Sequence, residues 1–161
     1  MSGSGAPALT LPDASGLRVT IVASRWHEQV MAGLVEGAER ALAAGDVASP
    51  ATVQVPGAFE LPLAAQVAAA HSDAVIALGV VIRGGTPHFD YVCRAATDGL
   101  MRVSLDSGRP VGFGLLTCDT EQQALDRAGL PESAEDKGAE AVAAALWLAV
   151  TLRDLASPAT G

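Results

Sequence analysis

The residues best suited to chemistry crowd into one stretch, 79-GVVIRGGTPHFDYV-92, where Arg83, Thr86 and His88 follow an apolar run broken at Gly84-Gly85. A histidine titrates near neutral pH and can serve as general acid and base. Thr86 must be extended because a proline follows it, and Pro87 fixes the entry to His88. The imidazole therefore emerges at the mouth of whatever element the apolar run forms. Residue types alone leave His88 open between proton transfer and a structural place. Gly84-Gly85-Thr86 allows close backbone approach and offers N–H groups and a hydroxyl to an anion. It matches neither GxxxxGK[ST] nor GxGxxG, so taken alone an ordinary turn is the simpler reading.

Other candidates are weaker on their own. Arg83 adjoins the glycines, and Arg127 and Lys137 bracket the turn before the last helix. Arginine suits bidentate phosphate recognition, although in 125-LDRAGL-130 a solvated helix-end cation explains Arg127 as well. Glu60 could accept hydrogen bonds from a polyol; capping the helix that begins at Leu61 is the simpler local role. His71 lies in a polar turn and reads as solvated. His27, after Trp26 near a helix start, reads as a capping or surface residue. Cys93 and Cys118 have no CxxC spacing and read as reduced core thiols.

The elements that must position these residues alternate. The β-branched 18-RVTIVAS-24 predicts a strand, and Val30, Leu34, Ala38 and Leu42 predict a helix closed by Gly45. A second strand in 52-TVQVPGAFE-60 ends in a Pro-Gly turn before a short helix from Leu61 to Ala70. The nearly all-apolar 74-AVIALGVVI-82 is the mark of a central strand covered on both faces. A helix over 89–107 follows, then a strand over 110–117. Thr120 and Gln123 could box the start of a helix stopped by Gly129. A last helix over 133–155 opens on Ser133 and Asp136. Alternation of this kind predicts a three-layer, flavodoxin-like α/β sandwich with a four-stranded parallel sheet and helices on both faces. Residues 1–16 form an arm, 17–157 a single domain and 158–161 a tail.

Ligands in such sheets sit at the carboxyl ends of the strands. Of six aromatic residues, Trp26, Phe59, Phe89 and Tyr91 follow strand ends, Phe113 lies within the fourth strand, and only Trp147 is well inside a helix. Singly each could be ordinary core. Together they suit a flat heterocycle stacked on Trp26 or Phe113, an interaction worth about 1–3 kcal/mol per base in nucleic-acid systems. A net charge of −8 argues against nucleic acid as a partner. The N-terminus lacks a signal-peptide pattern and the longest apolar run, 141–152, is too short to cross a bilayer, so a cytoplasmic location is expected.

The block at 79–92, with VPGAFELP at 55–62, GFGLLT at 112–117 and DRAG…DKG at 126–138, closely resembles the lumazine synthase family, in order from about Leu17 to Leu155. The resemblance implies a penultimate step of riboflavin synthesis: 5-amino-6-(D-ribitylamino)uracil condenses with 3,4-dihydroxy-2-butanone 4-phosphate to 6,7-dimethyl-8-ribityllumazine. It implies no cofactor and no metal. By position, Trp26 stacks on the pyrimidine, Ala58, Phe59 and Glu60 hold the ribityl chain, and Val80, Val81 and Ile82 line the heterocycle. Gly85, Thr86 and Arg127 match the phosphate site, with Lys137 near it. His88 matches the proton-transfer histidine, and Phe113 a residue reaching in from the next subunit. Gly85 stands where many relatives carry a side chain, and Cys118 where threonine is frequent.

The resemblance also implies a homopentamer. The last helix agrees, because Val142, Leu146, Leu148, Val150 and Leu152 face more than one way and ask for burial from several sides. The arm could add to a neighbour's sheet. The turn 129-GLPESAEDKG-138 is longer than the shell-forming pattern, so a free pentamer is expected over a sixty-subunit shell. Rival readings on the same architecture are a flavin-binding or signalling module and a silent scaffold. ASRWHE lacks a flavodoxin's Ser/Thr-rich phosphate loop, and a receiver's paired acids are missing.

Overall fold

The computed structural model describes residues 10–157; residues 1–9 of the expected arm and the 158–161 tail lie outside them. The elements run β1 (Val19–Ser24), α1 (Glu28–Ala44), β2 (Ala51–Val55), a 3-10 turn (Ala58–Glu60) and α2 (Leu61–Ala69). They continue with β3 (Ala74–Ile82), α3 (His88–Ser107), β4 (Val111–Cys118), α4 (Glu121–Leu125) and α5 (Lys137–Ala156). The sheet is wholly parallel in the order β2-β1-β3-β4, so every strand's carboxyl end faces one pole.

Period-two alternation splits the strands between two cores. Ile21, Ile76 and Leu78 pack under α1 and α5 with Leu34, Leu42 and Leu146. Val22, Val75 and Ala77 pack under α2 and α3 with Leu61 and Leu100. Each such buried aliphatic side chain stabilises the fold by about 1.5–3 kcal/mol. β3 is buried from Ala74 to Val80, as a central strand covered on both sides must be. The four-residue spacing of Val30, Leu34, Ala38 and Leu42 is the buried face of α1. Part of the N-terminal segment is held to this frame: Ala14 is fully buried, its N–H donates to Gly45 O at 3.0 Å, and Trp147 Nε1 donates to Thr10 O at 2.6 Å. Among the described residues no helix is long and apolar enough to cross a membrane.

The helix boundaries before α5 differ from the sequence expectation. α4 ends at Leu125, well short of Gly129, because Asp126–Gly129 pairs with the chain returning toward α5. Gly129 N donates to Glu135 O, Glu135 N to Asp126 O and Lys137 N to Arg127 O, each at 3.0 Å. Thr120 accepts from Gln123 N at 3.2 Å as expected, but the Gln123 side chain reaches Asp119 N instead of closing the box. Ser133 does not open α5 either. Its hydroxyl bonds Leu125 O and Leu130 N inside the loop, and Asp136 alone caps the helix, accepting from Ala139 N at 2.9 Å.

Candidate active site

At the carboxyl pole, β1 ends at Ser24, and Trp26 projects two residues later, 68% exposed. Its indole lies against Gly57, where a side-chain carbon would come 3.5 Å from Trp26 Cδ1 and 3.3 Å from Glu60 Oε2. Trp26 and the Glu60 carboxylate are thereby held together around one glycine. Glu60 does not cap α2 with its side chain; Oε2 instead accepts from Gly57 N at 2.9 Å, bracing the 3-10 turn. Phe59 points outward, 63% exposed, while Ala58 is buried against the α2–α3 core.

β3 projects beyond its last pairing with β1, which is Leu78 with Ala23, and stays paired with β4 as far as Ile82 and Cys118. Val80 is buried in the α1–α5 core, with Ile82 partly buried beside it and Val81 on the other face. Gly85, Thr86 and His88 follow, all exposed, and a side-chain carbon on Gly85 would meet nothing within 4 Å. The glycine there is not demanded by space.

Arg25 follows β1 directly and is exposed at this end, and three further cations lie near it in different circumstances. Lys137 Nζ sits between Glu135 and Glu140, the latter at 2.7 Å. Burial pushes its pKa down, but hydrogen bonds to the two carboxylates outweigh that and raise it. Its charge is locally balanced. Arg83 is bound to Asp119 at 2.8 Å and Asp90 at 3.2 Å. Among the described residues Arg127 has no carboxylate within 4.0 Å; its Nη1 donates to Gln123 O at 2.9 Å, so of these three it is the cation best placed to meet an anion.

Some expected members fall elsewhere. Phe89 is buried, 9% exposed, and not part of an aromatic rim. Phe113, on the edge strand β4, pairs with Ala77, five rungs from Cys118, a distance of about 16 Å along the strand at ~3.3 Å per residue. Within one chain it does not join the pole. His71 is exposed in a turn, and His27 occupies the N-cap position just before α1 without a side-chain cap bond. Cys118 is buried and Cys93 half-buried, both free, with burial pushing each thiol up. Open hollows of about 470 and 480 Å³ lie at the opposite pole and between α2 and α3, and one of about 400 Å³ lies beside the Arg127 loop, lined by Leu125 and Asp126.

Sequence reasoning did not single out Asp90 and Asp119 as partners of Arg83. The signal was present: an acid in a helix's first turn is favoured by the backbone dipoles, and Asp119 directly follows the strand beside Arg83's.

A family model described as 6,7-dimethyl-8-ribityllumazine synthase matches residues 16–153. A protein of that name from Paenarthrobacter aurescens is 63% identical over 158 residues, covering 95% of this chain and 98% of the relative. One from Streptomyces coelicolor is 58% identical over 159 residues, with 98% and 99% covered. Another from a Nocardioides species is 62% identical over 160 residues, covering 99% of each.

Proposed function

Since the chain belongs to the 6,7-dimethyl-8-ribityllumazine synthase family, transferases of riboflavin biosynthesis, we propose that it joins 5-amino-6-(D-ribitylamino)uracil to 3,4-dihydroxy-2-butanone 4-phosphate. The pyrimidine amine attacks the ketone and water leaves as the imine forms. Phosphate is then eliminated, and the second nitrogen closes the ring with loss of another water. Every step moves protons, and each needs the two substrates held in register. Orientation supplies much of the rate, and His88 adds about 10²–10⁴-fold as general acid and base.

The observation that carries this reading is the meeting of Trp26, Gly57 and Glu60 at the pole from which His88 also emerges. In this reading Trp26 stacks on the pyrimidine, with Val81 and Ile82 beside it and the Val80 backbone behind. Ala58, Phe59 and Glu60 receive the ribityl chain. Gly85, Thr86 and Arg127 bind the phosphate; Lys137, its charge balanced by two glutamates, lies near it without carrying the anion. Phe113 of one chain completes the site of the next, which makes the working unit a ring, and a pentamer is the closed form proposed.

Purified protein incubated with both substrates, followed by lumazine absorbance, tests the reaction. His88→Ala should lower kcat by about 100-fold while pyrimidine binding is kept. Arg127→Ala should chiefly raise KM for the phosphate substrate, by about 10-fold or more. Parent-like kinetics in both variants would remove the site assignment. Pyrimidine binding without any product would replace the enzyme with a binding protein on the same fold.

A further inference from the structure

The loop that carries His88 has little to hold it. Gly84 and Gly85 touch nothing with their side-chain positions, and α3 begins after Pro87 with no side-chain cap. Yet a group asked to move protons must be held close to its working geometry, since misplacement by an ångström can cost about 10²-fold. Arg83 ties this loop on three sides, through its backbone and its side chain. Its N–H extends the ladder by one bond to Cys118 O at 2.9 Å. Its Nε donates to Asp119 at the end of β4, and its Nη1 to Asp90 in the first turn of α3. The guanidinium also lies 4.1 Å from the centre of the Phe89 ring. Phe89 is the buried residue of that turn and the direct neighbour of His88.

From this arrangement we infer that Arg83 is a positioning residue for His88, not a phosphate ligand: it clamps the uncapped first turn of α3 to the end of β4 through the Asp90 and Asp119 carboxylates. The fork geometry of a guanidinium suits this task, because it serves two carboxylates from different elements and stacks on a ring at once. With both carboxylates engaged, little of its charge is left for a substrate anion. The inference rests on the reading of His88 as the proton-transfer group and adds what holds it there.

A double-mutant comparison tests it, with kcat and both KM values measured in the parent, Arg83→Gln, His88→Ala and the combined variant. Arg83→Gln should lower kcat about ten-fold with both KM values nearly unchanged. In the His88→Ala background the same change should alter kcat by less than about two-fold, because residues acting as a unit are not additive. Asp119→Asn removes one ion pair on an exposed carboxylate and should give a smaller loss, about three-fold, with the same dependence on His88. It decides the matter by itself if Arg83→Gln does not fold. Equal losses in both backgrounds would overturn the inference, as would a raised KM confined to the phosphate substrate. If His88→Ala alone leaves kcat intact, the reading of His88 fails and this one falls with it.

Discussion

His27 holds a left-handed backbone, φ 60 and ψ 67, where the chain leaves β1 and enters α1 directly beside Trp26. Histidine visits this region more readily than bulky residues do, and β-branched residues hardly at all. His27→Val should therefore destabilise the chain by about 1–2 kcal/mol, whereas His27→Asn should melt within a few degrees of the parent. Thermal melts of the two variants check this, and a weaker pyrimidine affinity in the valine variant would show Trp26 moving with the backbone. At the opposite pole Asp73 joins three elements. It accepts from Arg18 N at 2.9 Å and pairs with the Arg18 and Arg109 guanidinium groups. Burial pushes its carboxyl up, but the hydrogen bonds from Arg18 and the two positive charges outweigh this and hold it below the usual value. A lowered folded-state pKa means the stabilisation is complete above the ordinary carboxylate range and fades as pH falls through the folded value. Asp73→Asn should lose about 1–2 kcal/mol at pH 7, with the gap to the parent narrowing near pH 3. Urea titrations at both pH values would show a constant gap if the linkage were absent.

At the scale of elements, α1 and α5 approach so closely that a side-chain carbon on Gly138 would lie 2.1 Å from Leu34 O. Neither backbone can move away cheaply, since Asp136, one turn-end earlier, both caps α5 and binds Arg40 of α1 at 3.1 Å. Gly138→Ala should cost about 2 kcal/mol or more, and by shifting the start of α5 it should loosen the Arg127 loop. Gly84→Ala, which meets nothing, should be neutral or slightly stabilising. Denaturant midpoints of the pair give the comparison. The same elements show what was legible in the sequence. The four-residue spacing of Val30 to Leu42 and the unbroken apolar run from Ala74 to Ile82 declared their elements because burial on one face, or on two, leaves a periodic mark. The short α4 and the late start of α5 left none: a non-local pairing of Asp126–Gly129 with Glu135–Lys137 competes with helix there, and local propensity is blind to it. At the pole, His88, Trp26 and Glu60 could be picked out by type and strand-end position. That Phe89 turns inward was also written in its register with Ala96, Leu100 and Val103, yet the grouping of aromatics at the rim pointed the other way. The clamp on Arg83 depends on carboxylates far apart in sequence, and no local pattern announces it.

One chain alone leaves much apolar surface uncovered. Leu63 and Val67 on α2 are 70% and 62% exposed, and Met101 and Leu105 on α3 are 60% and 73% exposed. Four of the five residues of β2, an edge strand, are exposed as well. A solvated monomer rarely shows contiguous apolar area on this scale, and an uncovered strand edge invites pairing. The two helices stand on the same side of the sheet as Phe113, whose place along the edge strand β4 is of no use to the chain's own pole. An assembly that covers α2 and α3 with a neighbour would thus bring the two facts together, burying the leucines and carrying Phe113 toward a second chain's Trp26. A heterologous contact of this kind closes into a ring where its rotation permits, and five chains are the closed form proposed. The expected solution mass is near five chains of 16.2 kDa each. Leu63→Glu or Met101→Glu, both remote from His88 in the fold, should disperse that ring into folded single chains whose turnover is lost along with the partner's contribution. Sedimentation, circular dichroism and the lumazine assay on the same samples separate the outcomes. A mass near sixty chains would replace the free ring with a shell, and a dispersed chain that kept full turnover would mean that each pole works without its neighbour.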